Sequence, residues 1–328
     1  MDLLLVTGAP RSGTTAIGYN LALPRSAGLL YEPFNYVTGL RDIERQFEIP
    51  GAGNFTDERL DDVIERLRRL NLQMKSGRRL GDTPLRALVK RFVGGRSNVS
   101  YILCRLNPML RTIIWKDPMA VFASRAVALR HGMTVLATVR PPVAVAASFA
   151  RLSWKPDVGQ LIRSFHEVGW QADIPTINGD PEETSPAIRG AIIWEMVYRR
   201  LLRLSAETDQ LYLLNVQAIV EDAVNIYRNL YILCGLRWDS RVETAIAKEY
   251  ARRSSRAAAQ ELPETAHVKN RDLRRINEYG KRLLSPAESD DVMQMTDATW
   301  RRVREACDRD LARIVSRQSP ARPLAAAS

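Results

Sequence analysis

Cysteine is scarce in this chain: three residues in 328, Cys104, Cys234 and Cys307, with no CxxC spacing and an odd total. That pattern excludes a disulfide framework and a cysteine-based zinc site, and it fits a reducing compartment. Long apolar runs are absent too. No stretch of 18 apolar residues occurs, so no segment is expected to span a membrane. The opening MDLLLVTGAP lacks the basic leader and the apolar length of a signal peptide. A cytoplasmic protein is the expectation. No internal repeat is visible, and no block of like charge. Lys and Arg outnumber Asp and Glu, 48 to 37, for a net charge of +11. Such a surplus suits an anionic partner. Because the Arg residues are dispersed, a generally basic surface accounts for it equally well.

What remains is an ordinary globular composition, 45 % hydrophobic and 26 % charged. Leu3 to Thr7 is a continuous apolar run ended by Gly8 and Pro10, the mark of a strand buried on both faces. Further strands are predicted at Leu29–Tyr31, Arg111–Trp115, Thr134–Val139 and Leu211–Asn215. Helices are predicted at Gly13–Leu23, Ala120–Arg130, Val143–Leu152, Ile188–Leu204 and Val220–Cys234. Alternation of this kind predicts an α/β fold: a three-layer sandwich with a central parallel sheet of about five strands. A single domain is expected over residues 1–317. It carries a charge-rich helical lid inserted at about 41–100, and a polar, Pro- and Gly-containing loop at about 155–187. Ser285 to Val315 reads as a final helix or helix pair opened by a Ser285–Glu288 capping box. The tail at 318–328 is of low complexity and reads as disordered.

The first strand runs into Gly8-Ala9-Pro10-Arg11-Ser12-Gly13-Thr14-Thr15 and then a helix. Strand, glycine-rich turn and helix start are the context in which backbone N–H groups and the helix dipole hold an anion. Gly8 and Gly13 have the P-loop separation, and Thr15 stands at the place of its Ser/Thr. Thr14, however, replaces the Walker lysine, and the positive charge sits at Arg11. Without that lysine, ATP or GTP hydrolysis is disfavoured. A guanidinium in the loop suits a bidentate grip on a tetrahedral anion. Thr134 to Phe149 repeats the strand–turn–helix plan, with Arg140 at the strand end and Ser148 two turns into the helix. Parallel strands bring such ends to one edge of a sheet.

The GAPRSGTT segment resembles the 5′-phosphosulfate loop of sulfotransferases that use 3′-phosphoadenosine 5′-phosphosulfate (PAPS), and Arg140 with Ser148 resembles that family's 3′-phosphate site. The resemblance implies a P-loop-NTPase-like fold, and that Pro10, Arg11, Ser12, Gly13, Thr14, Thr15, Arg140 and Ser148 bind the donor. It implies that the product is adenosine 3′,5′-bisphosphate and that no metal is required. The family's third anchor, an Arg-Lys-Gly run, is missing. Lys269 and Arg271 stand in a comparable place, and Arg252, Arg253, Ser254 and Ser255 are an alternative source of phosphate contacts.

Cytosolic family members carry a His base two residues after a Lys. Here that place reads Trp115-Lys116-Asp117-Pro118, with no His. Other relatives use a Glu, and Leu30-Tyr31-Glu32-Pro33-Phe34-Asn35 supplies one on the expected sheet edge. The resemblance therefore implies Glu32 as general base, Arg11 and Lys116 as stabilisers of the transferred group and leaving phosphate, and Asp117 or His166 as alternative bases. His131 reads as a helix cap. The implied activity is sulfuryl transfer to a hydroxyl of a carbohydrate, glycolipid or secondary metabolite. Trp154, Phe165, Trp170 and Trp194 are available either to an acceptor or to the core. No nucleic-acid partner is expected, and homodimer formation is left open. Two rivals stay in view: a P-loop-type nucleotide kinase or NTPase, and a non-catalytic basic nucleic-acid-binding module.

Overall fold

A computed structural model of the chain describes residues 1–75, 95–177, 179–255 and 283–316. In chain order its elements are β1 Asp2–Thr7, α1 Thr14–Leu21, β2 Ala27–Tyr31, α2 Asp57–Arg69, α3 Arg96–Arg105, β3 Thr112–Lys116, α4 Ser124–Leu129, β4 Val135–Val139 and α5 Pro142–Arg151. They continue with α6 Val158–Glu167, α7 Pro186–Glu207, β5 Leu211–Asn215, α8 Val216–Glu221, α9 Ala223–Leu233, α10 Ser240–Ser255 and α11 Pro286–Ser316. The five strands form one sheet in the order β2-β3-β1-β4-β5. Every pairing is parallel, with Val6 and Tyr31 both opposite Lys116, Thr7 opposite Ala137, and Val139 opposite Asn215.

Side-chain alternation builds the three layers. Leu3 and Leu5 of β1 enter one buried cluster with helices α2 to α7 and the middle of α11. Leu4 and Val6 enter another with α1, α8, α9 and α10. A strand apolar at every position from Leu3 to Val6 must be covered on both faces, which is why β1 lies at the sheet centre. Ile43, Phe47, Ile49 and Phe55, from the predicted insertion, belong to the first of these cores.

The outer edge of β5 is closed by α11. Asp310 accepts the Leu213 N–H at 2.8 Å, and Arg313 donates to the Leu211 carbonyl at 3.4 Å. These side chains stand in for the missing neighbour strand and blunt an edge that would otherwise pair with another chain. The N-terminus of α11 carries the predicted capping box: Glu288 N–H donates to Ser285 Oγ at 3.2 Å and Ser285 N–H to Glu288 Oε2 at 3.3 Å. Among the described residues no helix is long and apolar enough to cross a membrane.

Two local expectations are corrected and a third is sharpened. The predicted helix Val220–Cys234 is two helices, broken at Asp222, whose φ of −137° and ψ of 59° lie outside the helical region. The predicted loop at 155–187 contains α6 and a turn of 3-10 helix, Gln171–Asp173. Val158, Leu161 and Phe165 of α6 are buried at helical spacing, and Asp157 caps it by accepting the Gln160 N–H at 2.6 Å. His131 closes its helix through its backbone, its N–H donating to the Ala126 carbonyl at 3.2 Å, while its side chain turns away and its Nε2 meets Asp61 of α2 at 2.6 Å.

Candidate active site

All five strands end on one edge, and the chain leaves β1 toward β2 before returning to build β4 and β5. The crevice above the carboxyl end of β1 is thus a topological switch point, where this architecture places ligands. The loop from Gly8 to Gly13 rises there. Gly8 is needed: its φ is +129°, and a Cβ would stand 2.4 Å from the Thr138 carbonyl oxygen. Ser12 braces the loop from inside. Thr138 Oγ1 donates to the Thr7 carbonyl at 3.1 Å, so the 2.7 Å contact between Ser12 and Thr138 has Ser12 as donor. The Ser12 N–H in turn meets the Ala9 carbonyl at 3.1 Å. Pro10 and Thr14 are buried, while Arg11, Gly13 and Thr15 retain exposure. Helix α1 begins at Thr14 with no side-chain cap. Its first-turn N–H groups and the positive end of its dipole are directed at the crevice.

The second strand–turn–helix meets the first directly. Arg11 Nε donates to Ser148 Oγ at 3.0 Å, and Arg140 Nη1 donates to the Arg11 carbonyl at 3.2 Å. Arg140 itself is buried, with its carbonyl accepting from Trp194 Nε1 at 2.9 Å. Tyr198 donates its hydroxyl to the Thr138 carbonyl at 2.7 Å. Residues 11, 140 and 148 therefore form one contiguous cationic and hydroxyl-bearing cluster. Lys269 and Arg271 lie outside the described residues. Arg252 to Ser255 close α10, and their side chains are likewise outside the described set.

On the other side of β1, Lys116 ends β3. Its stem packs on α1, where a Cβ on Gly18 would come within 2.9 Å of Lys116 Cγ. The ammonium lies 4.3 Å above the Tyr31 ring and 2.5 Å from Glu32 Oε1. Asn35 Nδ2 donates to the other Glu32 oxygen at 3.1 Å. Burial alone would raise the Glu32 carboxyl; the Lys116 charge and the hydrogen bonds from Lys116 and Asn35 outweigh it and hold the group below its ordinary 4.5. Glu32 is thus ionised at neutral pH. Burial first, and the neighbouring Glu32 charge second, push Asp117 the other way, up to about 7.

The remaining candidates fall elsewhere. His166 is exposed on α6. Phe165 and Trp194 are fully buried, Trp170 packs edge-on against Phe165, and Trp154 stacks on Phe149 with centroids 4.5 Å apart. These rings serve the core. Sequence reasoning missed Asn35, Tyr31, Thr138 and Arg96. Of these only Asn35 carries a local signal, lying three residues after Glu32 in a turn after a proline. Arg96 reaches in from the start of α3, its guanidinium 4.7 Å from the Tyr31 ring centre.

Among the described residues no group of three or more His, Cys, Asp or Glu is arranged to hold a metal ion. No protein-family model matches the chain, and no curated protein matches it. Solved structures similar to it include the sulfotransferase domain from the curacin biosynthetic pathway, at 12 % identity and TM-score 0.45 over 90 % of this chain and 97 % of that one. The sulfotransferase domain of the Synechococcus PCC 7002 olefin synthase is similar at 15 % identity and TM-score 0.40, over 90 % of this chain and 93 % of that one. A sulfotransferase from Mycobacterium avium is similar at 14 % identity and TM-score 0.41, over 90 % and 76 % of the two chains. Likenesses at this level carry no functional assignment on their own.

Proposed function

We propose that the chain is a sulfotransferase that moves the sulfuryl group of PAPS to an acceptor hydroxyl. The observation that carries this reading is the junction of two anion-binding turns. Arg11 of the GAPRSGTT loop is bonded to Ser148 and backed by Arg140, while the ion pair of Lys116 and Glu32 stands on the same sheet edge. A donor with phosphate groups at both ends of a nucleoside matches two such turns; a plain mononucleotide matches only one. The loop's N–H groups, with Arg11, Thr14 and Thr15, suit the 5′-phosphosulfate, and Arg140 with Ser148 suits the 3′-phosphate.

The chemistry follows from the second pair. Glu32, kept ionised by Lys116, takes the acceptor's proton as the acceptor oxygen bonds to sulfur. The bond from sulfur to the phosphate oxygen breaks in line, and the electron pair leaves on adenosine 3′,5′-bisphosphate. Lys116 and Arg11 offset the charge that builds on that phosphate. A sulfuryl group carries less charge than a phosphoryl group, so these cations suffice without a metal. The acceptor is a carbohydrate, glycolipid or secondary-metabolite hydroxyl, and the chain works in the cytoplasm. The kinase or NTPase reading is disfavoured by Thr14 in the place of the Walker lysine.

Adenosine 3′,5′-bisphosphate should raise the melting temperature well beyond the effect of AMP. Equal protection by the two would sink the two-turn reading. Labelled sulfate from PAPS should reach members of a panel of methyl glycosides and phenols. Arg11→Ala should lose bisphosphate binding. Glu32→Gln should keep it and lose roughly 10²–10⁴-fold in turnover, the usual range for a general base. An active Glu32→Gln enzyme would remove Glu32 from that role.

A further inference from the structure

The carboxylate of Asp117 follows Lys116 directly, is fully buried, and has both oxygens occupied. Oδ2 accepts the Phe34 N–H at 2.5 Å, with Trp115 Nε1 3.5 Å away, and Oδ1 accepts the Met119 N–H at 3.0 Å. A group so enclosed cannot reach an acceptor hydroxyl. Its bonds have a different consequence. Phe34 lies two residues after Glu32, with Pro33 between them. Glu32 itself is held in the left-handed region at φ +49°, an uncommon place for a residue with a long side chain. Its N–H donates to the Lys116 carbonyl at 2.8 Å, and its carbonyl accepts the Asn35 N–H at 3.1 Å. The turn from Glu32 to Asn35 is therefore pinned at one end by the backbone of residue 116 and in its middle by the side chain of residue 117. Pro33 has no N–H to contribute, so past Glu32 the next donor that can tie this turn to the end of β3 is the Phe34 N–H. The Met119 N–H, two residues on, holds the other oxygen and so fixes the carboxylate itself.

From this geometry we infer that Asp117 is a positioning residue for sulfuryl transfer, holding the Glu32 turn in the strained conformation that aims the carboxylate at Lys116 and the crevice. The inference rests on Glu32 being the base. It assigns Asp117 no direct contact with donor or acceptor, so its effect must pass through Glu32.

The test is a double-variant cycle in the full chain, with PAPS as donor and methyl glycosides and phenols as acceptors. Asp117→Asn keeps the shape and one acceptor oxygen but sets an NH₂ group against one of the two N–H donors. It should lower kcat about ten- to a hundredfold, with KM for PAPS and binding of adenosine 3′,5′-bisphosphate both within about twofold. Placed on Glu32→Gln, it should cost less than about threefold more. Equal losses with and without Glu32 would overturn the inference, as would an Asp117→Asn enzyme of unchanged kcat. A fully active Glu32→Gln enzyme would overturn both this inference and the base assignment; an inactive one beside an active Asp117→Asn enzyme would overturn this inference alone. In the wild-type chain, independently of any variant's folding, the Phe34 and Met119 amides should be among the slowest of their loops to exchange with deuterium. Exchange at the rate of open loop amides would refute the tie.

Discussion

Replacing Lys116 by Met removes the charge and keeps an unbranched stem of similar length against Gly18 of α1. The side chains of Lys116 and Glu32 are 2 % and 16 % exposed, so the pair is largely shielded from water. Taking one partner from such a pair costs about 3–5 kcal/mol, and the residual exposure of Glu32 argues for the lower end, about 3 kcal/mol at pH 8. The pH dependence separates charge from packing. In the wild type Glu32 titrates below its ordinary 4.5 because of Lys116 and Asn35. It contributes stability above that value, lost as pH falls through its folded-state pKa. Without Lys116, burial governs and Glu32 rises above 4.5. Asp117, already at about 7, loses a cation that lowers it and rises further. The folded variant then binds more protons than its unfolded chain through the acidic and neutral range, so its stability falls as pH rises. Urea unfolding at pH 5 and pH 8 should show the gap from wild type shrinking to about half or less at the lower pH. Lys116→Met combined with Glu32→Gln removes both charges of the pair together, and with them both the cation that lowers Asp117 and the anion that raises it, so it should return within about 1 kcal/mol of wild type at pH 8. A gap that is the same at both pH values would show that Lys116 acts by packing, and the electrostatic account would be wrong.

Three further outcomes follow from other contacts. Gly8→Ala sets a Cβ 2.4 Å from the Thr138 carbonyl oxygen at a φ of +129°, so it should lose about 3 kcal/mol or more in urea unfolding; a loss below about 1 kcal/mol would mean that the loop is not built as described. Tyr198→Phe deletes a 2.7 Å bond to the buried Thr138 carbonyl and should cost about 1–2 kcal/mol, with bisphosphate binding changed by less than Arg11→Ala changes it. Arg11→Gly should be about 1 kcal/mol more stable than Arg11→Ala, because position 11 has φ +73°, while both variants lose donor binding alike; equal melting temperatures would contradict the strain at that residue.

Much of this architecture is local enough to be legible in sequence. Each of the five strands is an apolar run bounded by turn residues, and the loop at 8–15 carries its glycines, cation and hydroxyls within eight consecutive positions. What was hidden depends on strand order. Lys116 and Glu32 are 84 residues apart and meet only because β2 pairs with β3, which no short-range pattern reveals. The bond of Arg11 to Ser148 spans 137 residues and needs β1 beside β4. Helix α6 was missed for a different reason. Its apolar positions Val158, Leu161 and Phe165 have helical spacing, but prolines and glycines on both sides outweighed them. The break at Asp222 was missed because the apolar pattern runs through it; Asp has low helix propensity, and it opens the next helix there.

Four described residues other than glycine have positive φ: Arg11, Glu32, Leu70 and Ser153. Leu70 is the C-cap of α2, and Ser153 follows the C-cap of α5. A left-handed residue commonly closes a helix, so those two need no functional explanation. Arg11 and Glu32 close no helix. Both lie just past strand ends on the carboxyl edge of the sheet, and both are held from outside: Arg11 through its carbonyl by Arg140, Glu32 through its N–H by Lys116. Each costs about 1 kcal/mol that glycine would avoid and asparagine would reduce. Strain of that size persists only where neighbouring structure over-determines the backbone, and it gathers where side chains must be aimed. A chain shaped for stability alone would carry glycine or asparagine at both positions. This one carries a guanidinium at the anion loop and a carboxylate facing a buried ammonium, so the strain falls on the two side chains that the proposed reaction requires, one for the donor and one for the acceptor.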